Sequence, residues 1–226
     1  MPLTKSKGNM YPWVTHTHSH LGGACPHQCS YCYVSGFPWR LRIDRYTGPL
    51  RLIEKEFAVK YGSGKTIFIE HCNDLLAKEV PNEFIDRIIH HCKEYPDNTY
   101  VFQSKNPVRF QDWAFPRDSI FGTTIETNRM YPETGKAPSP AARYVAMRRI
   151  PGRKFVTVEP VMDFDVAILA YWISDINPEF LNLGADSKGH GLPEPSVEKI
   201  MELVAELKKY GIELREKHNL QRLRKQ

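Results

Sequence analysis

The chain has no run of 18 apolar residues, so no segment is long enough to cross a bilayer as a helix. Its first residues, Met1 to Gly8, carry Lys5 and Lys7 but no apolar stretch behind them, and so lack the pattern of a secretory leader. The expectation is a soluble, cytoplasmic protein with no membrane partner. A strong charge imbalance is lacking too: 31 Lys and Arg stand against 26 Asp and Glu, a net charge of +5. That balance permits an anionic partner but falls short of the dense basic stripe that demands nucleic acid. Internal repeats, low-complexity tracts and linkers are absent as well. The five cysteines are odd in number and unevenly spaced, which excludes a disulfide framework and directs attention to metal or redox chemistry.

What is present is enough for one packed core: 226 residues, 41% apolar and 12% aromatic. We read a single domain over residues 1–226 with a short, basic, flexible tail from about residue 213 to 226. Short runs rich in β-branched and aromatic residues, each a predicted strand, recur at Thr66–Glu70, Thr99–Gln103, Ile120–Ile125, Lys154–Glu159 and Phe180–Gly184. A first strand is expected at Trp13–His18 and a last at Ile212–Arg215. Helical spacing puts Ile85, Ile88, Ile89 and Cys92 on one face of Pro81–Tyr95, and Val197, Ile200, Met201, Val204 and Leu207 on one face of Ser196–Tyr210. Weaker helical patterns cover Ile53–Tyr61, Pro140–Arg149 and Asp165–Asp175, and a turn or two of helix is expected within Asn106–Phe115. Pro132–Pro140 has the composition of a long exposed loop. The alternation predicts an α/β fold, a partial (β/α)6-type barrel, whose chemistry belongs at the C-terminal ends of its strands.

Just after the first predicted strand lies Cys25-Pro-His-Gln-Cys29-Ser-Tyr-Cys32, a C-x3-C-x2-C loop preceded by Gly22-Gly23. Three thiolates can hold three irons of a [4Fe–4S] cluster and leave the fourth open to a small molecule, whereas a structural zinc site closes its shell with four ligands. Zinc completed by His27, or by one of His16, His18 and His20, is the alternative reading of the same residues. The spacing, with aromatic Tyr31 before the third cysteine, resembles the radical S-adenosylmethionine (SAM) superfamily. Within it the chain is similar to spore photoproduct lyases and to short phage-associated radical-SAM-like proteins of unknown function, over roughly Gly22 to Gly191.

The resemblance implies a [4Fe–4S] cluster on Cys25, Cys29 and Cys32 and SAM chelated at the unique iron. An external donor supplies the electron that cleaves SAM to a 5′-deoxyadenosyl radical, which abstracts a substrate hydrogen; the substrate is expected to be a nucleotide or nucleic acid, and lyase and transferase outcomes are both open. It further implies that Cys72, in Glu70-His71-Cys72-Asn73-Asp74, returns a hydrogen atom to the product. Lys105 reaches the SAM carboxylate and Thr124 meets the ribose. Asn73 or Asp74 lies near the SAM amino group, in place of the Gly-Gly-Glu stretch this chain lacks, while Glu126 and Glu159 line the cavity. Of Tyr31 and Tyr33, one faces the cofactor and the other packs into the barrel wall, and either could relay a hydrogen atom. Bland readings stand beside these: Cys72 as an inert buried thiol, Lys105 as a surface lysine, Glu159 as a loop-bonding carboxylate. Cys92, on an apolar helix face, is expected to be core.

Three further patterns compete. Thr15-His16-Thr17-His18-Ser19-His20 sets three imidazoles on one side of a strand, like the ligand pair that opens metal-dependent amidohydrolase barrels, but no later strand end supplies the remaining His set. Gly62-Ser63-Gly64-Lys65-Thr66 imitates the end of a phosphate loop, yet Val59 stands at its first glycine position and it precedes its strand. Arg40, Arg42, Arg45 and Arg51, interleaved with aromatics, suggest a non-catalytic, zinc- or cluster-stabilised nucleic-acid-binding module, or a solvated surface.

Overall fold

The computed structural model describes residues 3–7 and 10–225. Among them are ten strands: β1 (Thr4–Lys5), β2 (His16–His18), β3 (Leu21–Gly22), β4 (Arg51–Leu52), β5 (Thr66–Ile69), β6 (Thr99–Gln103), β7 (Ser119–Thr124), β8 (Arg153–Val158), β9 (Phe180–Leu183) and β10 (Glu213–Glu216). The α-helices are α1 (Trp39–Tyr46), α2 (Asn82–Lys93), α3 (Pro140–Met147), α4 (Val166–Ile176) and α5 (Val197–Lys209). One eight-stranded sheet runs β1-β2-β5-β6-β7-β8-β9-β10, parallel throughout except for antiparallel β1 on β2. Leu21–Gly22 and Arg51–Leu52 pair separately as a small antiparallel ribbon. Among the described residues no ladder joins β1 to β10, so the architecture is a partial α/β barrel.

Side chains along a strand alternate between faces, and here they divide into two cores. Ile67, Ile69, Phe102, Val156, Val158 and Leu183 face outward into the large core shared with α2, α4 and α5. Phe68, Val101, Ile120, Phe155 and Phe180 face inward and, with Tyr11 and Val14, fill the barrel's lower interior. Each fully buried phenylalanine contributes about 1.5–3 kcal/mol relative to exposure. Gly122 stands opposite Phe155 in the β7–β8 register, and a Cβ there would lie 2.1 Å from Phe155 Cζ. The absent side chain makes room for the ring. Above this apolar layer the inward positions become polar: Tyr11 Oη lies 2.8 Å from both Gln103 Oε1 and Thr157 Oγ1. The hydrophobic filling therefore ends before the strands do, and a cavity opens at their C-terminal ends.

The expected strands agree with the observed ones to within two residues at either end, apart from the first. Trp13 leaves that strand and stacks on Tyr11 at 5.4 Å. The helix expected over Ile53–Tyr61 is a 3-10 segment at Glu54–Ala58, and Pro107–Asp112 is another. The tail is corrected outright. It forms β10 and a 3-10 segment over His218–Lys225, with Leu220 and Leu223 buried in the main core. Arg215 pairs with Glu213 and lies over the Phe180 ring, and Arg222 pairs with Glu194. No helix among the described residues is long and apolar enough to cross a membrane.

Candidate active site

Glu70 follows β5 with a positive φ of 59°, a conformation a non-glycine residue rarely adopts. The resulting turn sends His71, Cys72, Asn73 and Asp74 across the strand ends. They border a cavity of about 570 Å³ together with Cys25, Cys29 and Cys32, and with Lys105, Thr124 and Glu159 from later strand ends. The site residues singled out in the sequence, Glu126 excepted, thus border one cavity.

The cysteine loop is gripped from two sides. From below, Asp74 spends its oxygens on four neighbours: Oδ2 accepts from His27 Nε2 and the Lys105 backbone N–H, each at 2.7 Å, and Oδ1 accepts from Ser104 Oγ at 2.7 Å and the Leu76 backbone N–H at 3.0 Å. From the side, the segment expected to be an exposed loop, 132–140, clasps the cysteines instead. Glu133 O accepts from Ser30 N–H at 3.0 Å, His27 O accepts from Lys136 N–H at 2.7 Å, and the Cys29 thiol donates to Thr134 O at 3.3 Å. Gly135 is required there, since its φ is 65° and a Cβ would come within 2.2 Å of His27 O.

Behind the loop sits a buried charge knot. Glu126, fully buried, is 2.8 Å from Lys105 Nζ and 2.7 Å from Arg143 Nη1, and it accepts the Tyr31 hydroxyl. Burial alone would raise its carboxyl, but the guanidinium and ammonium outweigh that and hold it far below the usual carboxylate range. Lys105 Nζ also meets Tyr31 Oη at 2.6 Å and Cys29 Sγ at 3.2 Å. Its charge thus already has partners. Glu126 lies behind Lys105 and not on the cavity wall. Arg143 was not anticipated, because an arginine in a short helix gives no local sign of complete burial.

The remaining site residues divide similarly. Tyr31 is the inward tyrosine, whereas Tyr33 packs on Phe37 at 5.6 Å with its hydroxyl on His71 O and 3.9 Å from Cys72 Sγ. Cys72 is buried, and burial pushes its thiol up to about 11, against the opposing pull of bonds from Tyr46 and Tyr33. Tyr46 is a second neighbour that the sequence did not suggest. Asn73 Nδ2 donates to Gly23 O at 3.2 Å, Thr124 Oγ1 accepts from Gln103 Nε2 at 2.8 Å, and Glu159 pairs with Lys217 at 2.6 Å. Cys92 is core, as expected.

The donor set suits a group held by three thiolates. Burial drives Cys25 up to about 12 and raises Cys32 as well, so these thiols ionise only against positive charge, which metal ions bring. Of the imidazoles that would close a zinc shell, His27 Nε2 lies on Asp74, His20 Nδ1 on Glu70 and His16 Nδ1 on Thr15, while the His18 ring packs edge-on against His20. Among the described residues no three His, Cys, Asp or Glu side chains converge on one ion position.

No family model matches this sequence, and no curated protein matches it. Solved structures do. A spore photoproduct lyase complexed with dinucleoside spore photoproduct superposes with a TM-score of 0.58 at 14% identity, covering 93% of this chain and 79% of the lyase. A radical SAM methyltransferase from Sphaerobacter thermophilus gives 0.58 at 15% identity, covering 94% and 69%. The fold is that of radical SAM enzymes. A further lyase structure with the same fold holds AdoMet as well as its dinucleoside, at a TM-score of 0.52 and 14% identity over 89% of this chain and 63% of that one. On this shared fold, the cysteine loop comes after β2 and the short β3, and the segment after Glu70 follows β5, so both lie beyond the C-terminal ends of sheet strands.

Proposed function

We propose that the protein is a radical SAM enzyme that reductively cleaves SAM and abstracts hydrogen from a nucleotide or nucleic-acid substrate. The observation that supports this most is the convergence of Cys25, Cys29 and Cys32 with Cys72 on one cavity of the radical SAM fold. In this reading the three loop cysteines hold a [4Fe–4S] cluster, which supplies the electron for cleaving SAM when both are bound.

The chain's own residues position and quench. Thr124, Asn73, Asp74 and Glu159 border the SAM side, the first three with side chains already fixed by bonds to protein, which limits reorganisation on binding. Lys105 has three N–H donors and three partners, so it meets the SAM carboxylate by yielding its Cys29 contact. Cys72 is the hydrogen donor; its high pKa keeps it as S–H at neutral pH, the form from which a hydrogen atom can leave. Tyr33, whose hydroxyl lies 3.9 Å from Cys72 Sγ, relays or restores that hydrogen. Lys7 and Lys188 bring positive charge to the cavity lining, which suits a phosphate-bearing substrate.

The basic segment reading fares less well. Arg45 is spent on Glu56 and Ser19 O, Arg51 on Asp44 O and Thr47 O, and Arg42 on Ser35 O. Iron and sulfide analysis tests the main reading: anaerobically reconstituted protein is expected to be brown with broad visible absorption, and each of Cys25→Ala, Cys29→Ala and Cys32→Ala to lose the cluster signal and SAM cleavage. Colourless protein with one tightly held zinc would sink it.

A further inference from the structure

Two histidines that do not serve the cysteine loop, His20 and His91, form a chain of their own. His91 Nε2 lies 3.1 Å from Val59 O, His91 Nδ1 lies 2.8 Å from His20 Nε2, and His20 Nδ1 lies 2.8 Å from Glu70 Oε1. Each of these three contacts joins two atoms that both accept unless a hydrogen stands between them. Three hydrogens are needed. Two neutral imidazoles bring one each, and a carboxylate brings none. Tyr61 Oη, 3.1 Å from His20 Nε2, does not change the count: it can donate into that nitrogen or accept its N–H, and either choice moves the shortage without filling it.

We propose that Glu70, His20 and His91 form a proton-holding chain with one proton more than a carboxylate and two neutral imidazoles carry, joining the wall of the cysteine cavity to a second pocket on the outer surface and making the cavity wall respond to pH. Glu70 borders the cysteine cavity, and His91 borders a separate pocket of about 390 Å³ beside His90, Glu94, Asp86 and Arg87. The chain also fixes the backbone. Glu70 Oε1 accepts from His20 N–H at 2.5 Å and Oε2 from Leu21 N–H at 3.1 Å, which holds the left-handed turn that delivers His71 to Asp74 to the cavity.

The charged groups around it come from every neighbouring element. Glu56 and Arg45, from the segments that cover β2, face His20; His18 and His71 face Glu70; Glu94 and His90 face His91. Cys72, Cys92, Tyr46 and Tyr61 also feel the Glu70 charge. Burial pushes Glu70 up to about 7 and His20 down to about 3, the directions that place the shared proton on the carboxyl. Because the folded carboxyl is raised, its contribution to stability is full below the unfolded pKa and is lost as pH rises through about 7.

Nothing in this inference depends on what the cysteine cavity binds. The test uses the full chain without substrate. Infrared spectra at pH 6 and pH 9, with histidine nitrogens followed by NMR, count the proton directly. The expected result at pH 6 is either a carboxylic acid C=O band that Glu70→Gln removes, or an imidazolium at His20 or His91; at pH 9 it is gone. Glu70 ionised with both imidazoles neutral at pH 6 overturns the proposal. His91→Phe then separates the chain from burial alone. With its partner removed, His20 is free to turn its single N–H to Glu70, so the acid band is expected to vanish although Glu70 stays buried. A band that persists in folded His91→Phe assigns the proton to burial and overturns the chain; should that variant not fold, the count in the unaltered protein decides.

Discussion

Glu126 joins two cations, a tyrosine and, through Lys105, a cysteine of the proposed cluster, with Glu126 and Arg143 wholly out of solvent. Removing one member of such a knot leaves the others buried and uncompensated, which costs about 3–5 kcal/mol. Glu126→Gln is therefore expected to lower the urea midpoint by an amount that converts to that range. Its pH dependence has a definite sign: the folded carboxyl is depressed, so its contribution is present above the unfolded pKa and lost as pH falls below it. Below about pH 4 the unaltered protein should weaken more steeply than Glu126→Gln in denaturation series taken at successive pH values. Cys72 offers a chemical prediction at the same scale. Cys72→Ala should still cleave SAM, but product made in deuterated buffer should lose the deuterium that an exchangeable thiol delivers; unchanged product and labelling would remove Cys72 from the reaction. Tyr33→Phe should slow the return step and leave iron content intact.

Strands and long helices were legible because periodicity reports directly on which face is buried. Thr99–Gln103 is a short run of β-branched and aromatic residues and is a strand with those bounds, buried at its three central positions; Ile85, Ile88, Ile89 and Cys92 recur at helical spacing and are buried. Helix α1 was missed because none of its residues is buried, so it has no apolar stripe to reveal it. The 132–140 loop was misjudged for a related reason: Pro, Gly and Lys describe the turn correctly but say nothing of the backbone groups it offers to a loop a hundred residues earlier. Gly122 was equally silent, since its need for space arises only when β8 brings Phe155 opposite. Gly122→Ala overfills that site and should cost about 1–3 kcal/mol, read as a lowered thermal midpoint with the secondary-structure signal unchanged.

Across the whole molecule, the strand order and the position of the cavity followed from βα alternation, and the cysteine spacing identified one wall. What escaped was everything that depends on distant elements meeting: Arg143 under Glu126, Tyr46 beside Cys72, and the last segment against the core. That segment was judged flexible because its charges dominate, yet Leu220 and Leu223 are buried and Asn219 bonds Glu159, Ala185 O and Ser187. Leu220→Ala should cost about 2–5 kcal/mol, and limited proteolysis should cut the variant near β10 well before the unaltered chain.

The two-sided grip on the cysteine loop also orders events in time. Asp74 can hold His27 only after the first two parallel strands have met, and Thr134 lies 105 positions beyond the sulfur it receives. Contacts of such separation form late in folding, when intervening elements have closed the distance. On a ribosome, a chain arrested near residue 120 would present three unconstrained thiols, open to stray metals and oxidants. Completion of the loop must wait for the segment that follows β7, so maturation belongs after that segment is made, and arrested nascent chains of graded length, titrated with a thiol reagent, should lose reactivity abruptly once it has emerged.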